Sequence, residues 1–321
     1  MKYQIIRNRK YYLLFSSILL TVSIFALIVF GFNFGIDFTG GSLLEMQFNQ
    51  TKRPSVEESQ NILADLALDS LVIQPVGDDG LILKFQEVNE DKHQEILSKF
   101  KQFASENAEE NIDNTSTTTS ATTSQAVVVN LEELRFDSIG PSIGQELKRK
   151  SFSAMIMVLI AIVIYVAWAF RKVSKPVQSW KYGITAIIAL FHDCLIVLGV
   201  FAFLGKFYGI EINTPFIAAI LTVLGYSVND TIVVFDRIRE NLLQSNEDFS
   251  DVVNTSVNQT FTRSINTSLT TLFVLLSILF FGGESIRDFV LALSIGVFIG
   301  TYSSIFLASP ILVVWKKLGE K

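Results

Sequence analysis

GYSVNDTIVVFDRIREN, residues 225–241, is the stretch on which the reading turns. Its first half is apolar enough to lie in hydrocarbon, yet it carries Asn229 and Asp230 side by side. Asp230 stands six residues before Asp236, the first charge of a polar run, so about 9 Å of helix separates the two. A charged side chain deep in a membrane span costs roughly 2.5–3.5 kcal/mol on insertion scales, so it persists where it faces protein or trapped water. Burial favours the neutral acid and a nearby cation favours the carboxylate, so a group under both influences can load and release a proton. The alternative for Asp230 is a structural hydrogen bond that fixes helix packing.

Around that stretch the chain reads as a membrane protein. Half of its 321 residues are hydrophobic and only 18% are charged, against about 25% charged in an average soluble domain. Its mean hydropathy is +0.42. With 27 Phe, 3 Trp and 1 Cys, it is neither a disordered chain, nor a disulfide scaffold, nor a zinc-cluster protein. Cys194, alone in an apolar run, reads as a small buried hydrophobe. A span needs roughly 20 mostly apolar residues, and six segments qualify: 11–31, 151–170, 182–204, 214–235, 264–283 and 289–314. The first is longer than a signal-peptide core and no A-x-A-like site follows, so it is expected to be a retained anchor.

Lys and Arg near the span ends give the expected orientation. Lys2, Arg7, Arg9 and Lys10 precede the first span, Arg171, Lys172, Lys175 and Lys181 follow the second, Arg237 and Arg239 the fourth, and Lys316 and Lys317 the sixth. The alternate connections are poorer, with Lys206 and Arg287, and Lys148–Arg149–Lys150 is a local exception. Both termini, 1–10 and 315–321, are therefore expected in the cytoplasm. The 32–150 insert then lies outside. It holds 20 acids and 10 bases in a chain of net charge −5, and nothing resembles a basic, aromatic nucleic-acid surface.

Within the insert, alternation from Ser42 predicts a strand. Pro54 and Ser55 precede a helical pattern, and two short strands at 71–76 and 81–85 flank a Gly-Asp-Asp-Gly turn. A second helix fits 91–103, a flexible Ser/Thr linker 114–124, and a last strand 126–136. This β-α-β-β-α-β order predicts an α+β ferredoxin-like domain between the first and second spans. No catalytic set appears: Glu57, Glu58, Glu109 and Glu110 read as solvated acids, and His93 has no metal-ligand partners in the sequence. No cofactor is implied.

Two further places put polar residues in or beside spans. Arg263 opens the fifth span ahead of Ser264, Thr267, Ser268, Thr270 and Thr271. By topology it falls toward the same side as Asp230 and could pair with it, or it could be an interfacial cation reaching water. His192 and Asp193 lie mid-way along the third span. Neighbouring helical positions point about 100° apart, so the two are not expected to pair with each other. They are read as intramembrane polar support or as a proton carrier. Gly296 and Gly300 give a GxxxG spacing in the sixth span. The connection 236–263 reads as an amphipathic helix, Ile238, Leu242 and Leu243 on one side and Arg239, Glu240 and Glu247 on the other.

FNFGIDFTGGSLLEMQF (32–48), IGPSIGQEL (139–147), the His192–Asp193 pair and above all GYSVNDTIVVFDRIREN resemble the SecF family, the smaller subunits of the bacterial SecDF protein-export complex. The likeness runs along essentially the whole chain; the Ser/Thr-rich segment 114–124 departs from it. It implies a resistance-nodulation-division type membrane fold in the bacterial cytoplasmic membrane. Implied partners are SecD, the SecYEG channel and unfolded preproteins. It also implies use of the proton-motive force to promote export, with no enzymatic activity of the chain's own. On the family pattern Asp230 and Asn229 match the VND motif and Arg263 the arginine opening the fifth span, all in the proposed proton pathway. The rival expectations are a proton-coupled small-molecule or lipid efflux transporter of the same superfamily, or a purely structural partner of SecD.

Overall fold

The computed structural model describes residues 3–49, 53–113, 130–169 and 178–318. The expected linker 114–124, the start of the expected last strand at 126–129 and the cations Arg171, Lys172 and Lys175 lie outside the described residues. In chain order the elements are α1 (Arg9–Phe30), α2 (Ile36–Thr39), β1 (Gly41–Asn49), α3 (Val56–Leu63), β2 (Val72–Val76), β3 (Gly80–Phe85), α4 (Glu90–Asp113), β4 (Asn130–Ile139), α5 (Pro141–Ala169), α6 (Ser179–Tyr208), α7 (Thr214–Gln244), α8 (Phe249–Phe281), α9 (Glu284–Ser303) and α10 (Ser309–Leu318). A π-helical turn, Ser304–Ala308, joins α9 to α10. Two compact units result: one comprises the chain up to Phe34 and from Arg149 onward, the other Gly35–Lys148.

Six helices are long and apolar enough to cross a membrane: α1, α5, α6, α7, α8 and the continuous α9–α10, each 22 to 33 residues. Their apolar stretches have mean hydropathies of 1.7 to 2.7. In lipid, helices associate through close packing and interhelical hydrogen bonds rather than by escaping water. The inner helices here are α6, α7 and α9–α10, half or more buried, whereas α1, α5 and α8 leave most of their apolar surface exposed. The core runs through Ala186, Ala189, Leu190, Leu224, Val234, Phe235, Ile305, Ala308 and Leu312.

Two helix limits differ from the sequence reading. α5 begins at Pro141, ten residues before the apolar run, because proline suits the first helical turn where no N–H partner is needed. The connection after the fourth span is not one amphipathic helix. α7 continues to Gln244, residues 245–248 turn, and α8 starts at Phe249. Ser245 is extended and its hydroxyl accepts the Glu247 N–H at 3.1 Å, the local polar competition that ends helices. Ile238 is fully buried while Leu243 is 80% exposed, so the two do not share a face.

The other unit is a four-stranded antiparallel sheet in the order β2-β3-β1-β4. Leu44, Met46 and Phe48 alternate inward along β1 and meet Leu81, Leu83 and Phe85 of β3. Leu63 of α3 and Ile96, Leu97 and Phe100 of α4 cover that face. The first strand expected from Ser42 starts at Gly41; the second helix runs ten residues past its expected end, to Asp113; and the last strand ends at Ile139, three residues late. Its register on β1 slips between Glu45 and Met46, where Leu134 is the extra residue of a bulge. Glu58 is not a simple surface acid. Ser55 Oγ accepts its N–H at 3.2 Å and its carboxylate accepts the Ser55 N–H at 2.7 Å, a reciprocal cap on α3. Lys99 binds Asp65 and holds its carboxyl below the usual range.

The double glycine of FTGG has a steric reason. Gly40 (φ +76°) and Gly41 (φ +128°) occupy backbone conformations that L side chains avoid. A Cβ on Gly40 would lie 2.9 Å from the Pro141 Cα, and one on Gly41 would lie 2.8 Å from the Phe85 carbonyl oxygen. The motif lets the start of β1 pass directly against β3 and the start of α5.

Candidate functional site in the helical unit

On α7, Ser227, Asp230 and Thr231 share one face through their i, i+3, i+4 spacing, and all three are buried. Asn229 turns about 100° away and is exposed. Ser264 of α8 donates its hydroxyl to Asp230 Oδ1 at 2.6 Å. Asp230 Oδ2 is buried and has no partner within hydrogen-bond distance among the described residues, with the Ser304 hydroxyl near the carboxyl but beyond that distance. Of the two readings left open for Arg263, the direct pair with Asp230 does not form; its neighbour Ser264 makes the bond. No Asp230–Arg263 contact falls within ion-pair distance among the described residues, and Arg263 is exposed. One helical step of about 100° decides this: it points Ser264 inward and Arg263 outward, leaving the guanidinium to act on the carboxyl only as a charge through space.

The expectation that His192 and Asp193 would not meet is corrected. His192 Nδ1 lies 2.9 Å from Asp193 Oδ1. The two side chains leave the helix about 100° apart, yet both are buried and their polar ends meet. The imidazole presents its near nitrogen to the carboxyl. Asp193 is 1% exposed, and its Oδ2 accepts from Ser227 Oγ at 2.5 Å and Ser303 Oγ at 2.6 Å. One carboxyl thus ties α6 to α7 and α9. Interhelical bonds of this kind in membrane bundles average about 0.6 kcal/mol, with a maximum near 1.7. Asp193→Ala removes two of them and orphans the imidazole. It is expected to lower stability by roughly 1–3 kcal/mol, read as a drop in the thermal unfolding midpoint in nanodiscs that Cys194→Ala does not reproduce.

Ser227 joins the Asp193 carboxyl to a hydroxyl chain on α7. Its hydroxyl serves Asp193, and its backbone carbonyl accepts from Thr231 at 3.2 Å, one turn on. Thr231 Oγ1 in turn lies 2.9 Å from Ser304 Oγ. A second hydroxyl chain runs from Tyr226 to Ser268 (3.2 Å) and on to Thr301 (2.5 Å), joining α7, α8 and α9. Ser303 ends α9 and Ser304 starts the π-helical turn. Both hydroxyls back-bond to the Gly300 carbonyl, at 3.1 and 2.9 Å. Pro310 lacks the N–H that would close the turn below, and these two effects widen the helix at the site. Ser264 and Ser268 belong to the polar run noted after Arg263; Thr301, Ser303 and Ser304 had no such signal beyond two adjacent serines one turn past Gly300.

The two glycines of α9 do pack a helix. A Cβ on Gly296 would lie 2.1 Å from Val223 Cγ2, and one on Gly300 would lie 2.9 Å from the Ser227 Cβ. The α7 site face and α9 can approach only because both are glycine. Gly199, on which the sequence was silent, does the same for α6 against α1, with Ser23 Cβ 2.5 Å away. Cys194 is half-buried beside the core. In the sheet unit His93 stacks on Phe136 with centroids 3.7 Å apart and has Glu90 and Glu133 at its two nitrogens, 3.1 and 3.2 Å. Among the described residues no three His, Cys, Asp or Glu side chains converge as a metal site.

Comparison with known proteins bears on what this arrangement serves. Residues 117–318 match the family described as protein export membrane protein SecD/SecF, C-terminal, and residues 25–52 match the SecD/SecF GG motif. A protein translocase subunit SecF of Thermobaculum terrenum is 40% identical over 97% of this chain and 93% of its own length. That of Haemophilus influenzae is 36% identical over 96% and 84%. The crystal structure of SecDF, a translocon-associated membrane protein from Thermus thermophilus, superposes with a TM-score of 0.77 at 32% identity over 99% of this chain. A structure of SecDF in its super-membrane-facing form gives 0.65 at 32% identity over the full chain. The chain spans 39% of the length of each of those solved chains. With six apolar helices, the constrained glycine pair and near-full-length likeness to translocase subunits, the chain belongs to the SecF family of protein-export membrane proteins.

Proposed function

We propose that this chain, as a SecF subunit in protein export, works with a SecD subunit beside the SecYEG channel and uses the proton-motive force to help draw unfolded preproteins across the bacterial cytoplasmic membrane. Asp230 is the group that exchanges the proton. The observation that carries this is its carboxyl: one oxygen is held by Ser264 and the other is buried without a partner among the described residues. An anion left half-satisfied is costly in a low-polarity layer, and a proton relieves that cost. The neutral acid then has a hydrogen to donate, and the neighbouring hydroxyl pairs between α7, α8 and α9 can exchange partners at small cost. One charge moving through 100 mV supplies about 2.3 kcal/mol, which biases a two-state equilibrium roughly 50-fold. Arg263 and Asn229, exposed on α8 and α7, supply a cation and a polar group on the outward side of the same helices. The His192–Asp193 cluster is the fixed polar support.

In this reading both termini are cytoplasmic. Arg7, Arg9 and Lys10 at the start of α1, Arg237 and Arg239 in α7, and Lys316 and Lys317 in α10 support that orientation. The insert, 32–150, is an extracytoplasmic ferredoxin-like domain between the first and second spans, a reading that its β-α-β-β-α-β order and β2-β3-β1-β4 sheet support. The test is preprotein export into vesicles carrying the chain with SecD and SecYEG. Stimulation is expected to disappear when the gradient is collapsed. Equal stimulation with and without the gradient would leave a purely structural subunit.

A further inference from the structure

The segment before α1 is pinned rather than loose. Ile5 and Ile6 are 2% exposed. The Tyr3 N–H donates to Asn258 Oδ1 at 2.7 Å, and Asn258 Nδ2 donates back to the Tyr3 carbonyl at 2.8 Å. The Ile6 N–H donates to Asn254 Oδ1 at 3.2 Å, and the Tyr3 ring lies against Phe261 with centroids 5.2 Å apart. This strap runs along α8 and fixes where Arg7 and Arg9 emerge. They line a cleft of about 370 Å³ together with Ser250, Asp251 and Asn254 of α8 and Lys317 of α10.

Three cations face one acid across this cleft. Each arginine spends one terminal nitrogen on the strap itself, Arg7 on Gln4 Oε1 at 3.1 Å and Arg9 on the Ile6 carbonyl at 3.0 Å. That fixes the guanidinium planes and leaves their other N–H groups for an acceptor. The Ser250 hydroxyl and the Asn254 amide add neutral polar groups. Arg9 is the first residue of α1 and Lys317 the last but one of α10, so the cleft lies at the ends of two spans. Beyond Lys10, α1 turns apolar, with Tyr11 75% and Leu14 60% exposed. The cleft is therefore at the level where lipid phosphates meet hydrocarbon.

We propose that this cleft binds the phosphate of an anionic phospholipid of the phosphatidylglycerol class, whose acyl chains continue along the neighbouring span. Guanidinium groups favour phosphate through paired N–H···O bonds, and a net negative headgroup leaves the excess positive charge compensated. A zwitterionic headgroup brings its own ammonium and gains less. Asp251 opposes the ligand and sets its affinity below what three cations alone would give.

The test uses the full chain in phosphatidylcholine nanodiscs doped with pyrene-labelled phosphatidylglycerol or pyrene-labelled phosphatidylcholine. Energy transfer from tryptophan reads the local lipid; Trp315 stands two residues before Lys317. Phosphatidylglycerol is expected to be enriched over phosphatidylcholine. The triple variant Arg7→Gln/Arg9→Gln/Lys317→Gln is expected to lose that preference, by roughly 100-fold for three cations near a membrane surface. Asp251→Asn, which keeps the strap bonds, is expected to raise the preference several-fold, and this arm holds even if the triple variant folds poorly. Lys206→Gln, on the α6 turn outside this cleft, is the control and should change nothing. The proposal is overturned if wild type shows no preference, if Asp251→Asn leaves it unchanged, or if inorganic phosphate at millimolar concentration abolishes it, since the cleft would then serve a free anion.

Discussion

Asp230→Asn is expected to leave the chain folded and inserted but to remove the gradient-dependent part of export in reconstituted vesicles. The substitution is nearly isosteric. An asparagine carbonyl oxygen can still accept the Ser264 hydroxyl, now 2.6 Å from Oδ1, and the amide can occupy the place of the partnerless Oδ2. Packing and assembly should therefore hold. What disappears is the ability to change charge, and with it the roughly 50-fold bias that one proton crossing 100 mV provides. Ser264→Ala should behave differently. It removes the one hydroxyl bound to Oδ1 and keeps the titratable group, so gradient-dependent export should persist with an altered pH profile. Normal gradient-dependent export by Asp230→Asn would take Asp230 out of the mechanism altogether.

Gly296→Ala is expected to destabilise the helical unit strongly. Its Cβ would stand 2.1 Å from Val223 Cγ2, well inside contact distance, and valine has little rotamer freedom on a helix with which to withdraw. Overpacking of this kind costs about 1–3 kcal/mol. Here it would also push α9 from α7, stretching the Ser227 and Ser303 bonds to Asp193 and the Thr231–Ser304 contact. Thermal unfolding in nanodiscs should show the loss, and Val223→Ala in the same chain should restore much of it. A double-mutant cycle is expected to give a coupling of about 1 kcal/mol or more. Gly225→Ala, on α7 with nothing within 4 Å of its Cβ, is the matched control and should be neutral. Additive effects at 296 and 223 would mean that the helices separate freely at this crossing.

The polar site was partly legible in the sequence. Asp230 could be picked out because a carboxylate in an apolar run is costly wherever the run lies in lipid, so one residue in its own context is enough. Its partner could not be read in the same way. Arg263 and Ser264 are adjacent, and which one faces α7 depends on the rotation of α8, a quantity fixed by all the contacts along 33 residues. Charge made Arg263 the natural guess; geometry chose the serine. The His192–Asp193 contact was hidden for a related reason: the 100° offset between adjacent helical positions does not fix where two side-chain ends meet inside a packed bundle. Ser303, Ser304 and the π-helical turn carried almost no signal, because isolated serines are unremarkable in an apolar helix until another helix brings them a carboxyl.

Local chemistry, then, determined the things that each segment decides alone. Six apolar runs of sufficient length, the alternation of β1 and the Ser55 start of α3 all follow from short-range hydropathy and local capping. Tertiary structure decided which helices lie inside, that Gly199, Gly296 and Gly300 are contact points rather than incidental small residues, and that two carboxyls within one bundle have unlike surroundings, Asp193 held at both oxygens and Asp230 at one. The reason is that a helix presents side chains around its whole circumference, and only neighbouring helices select which arc is used.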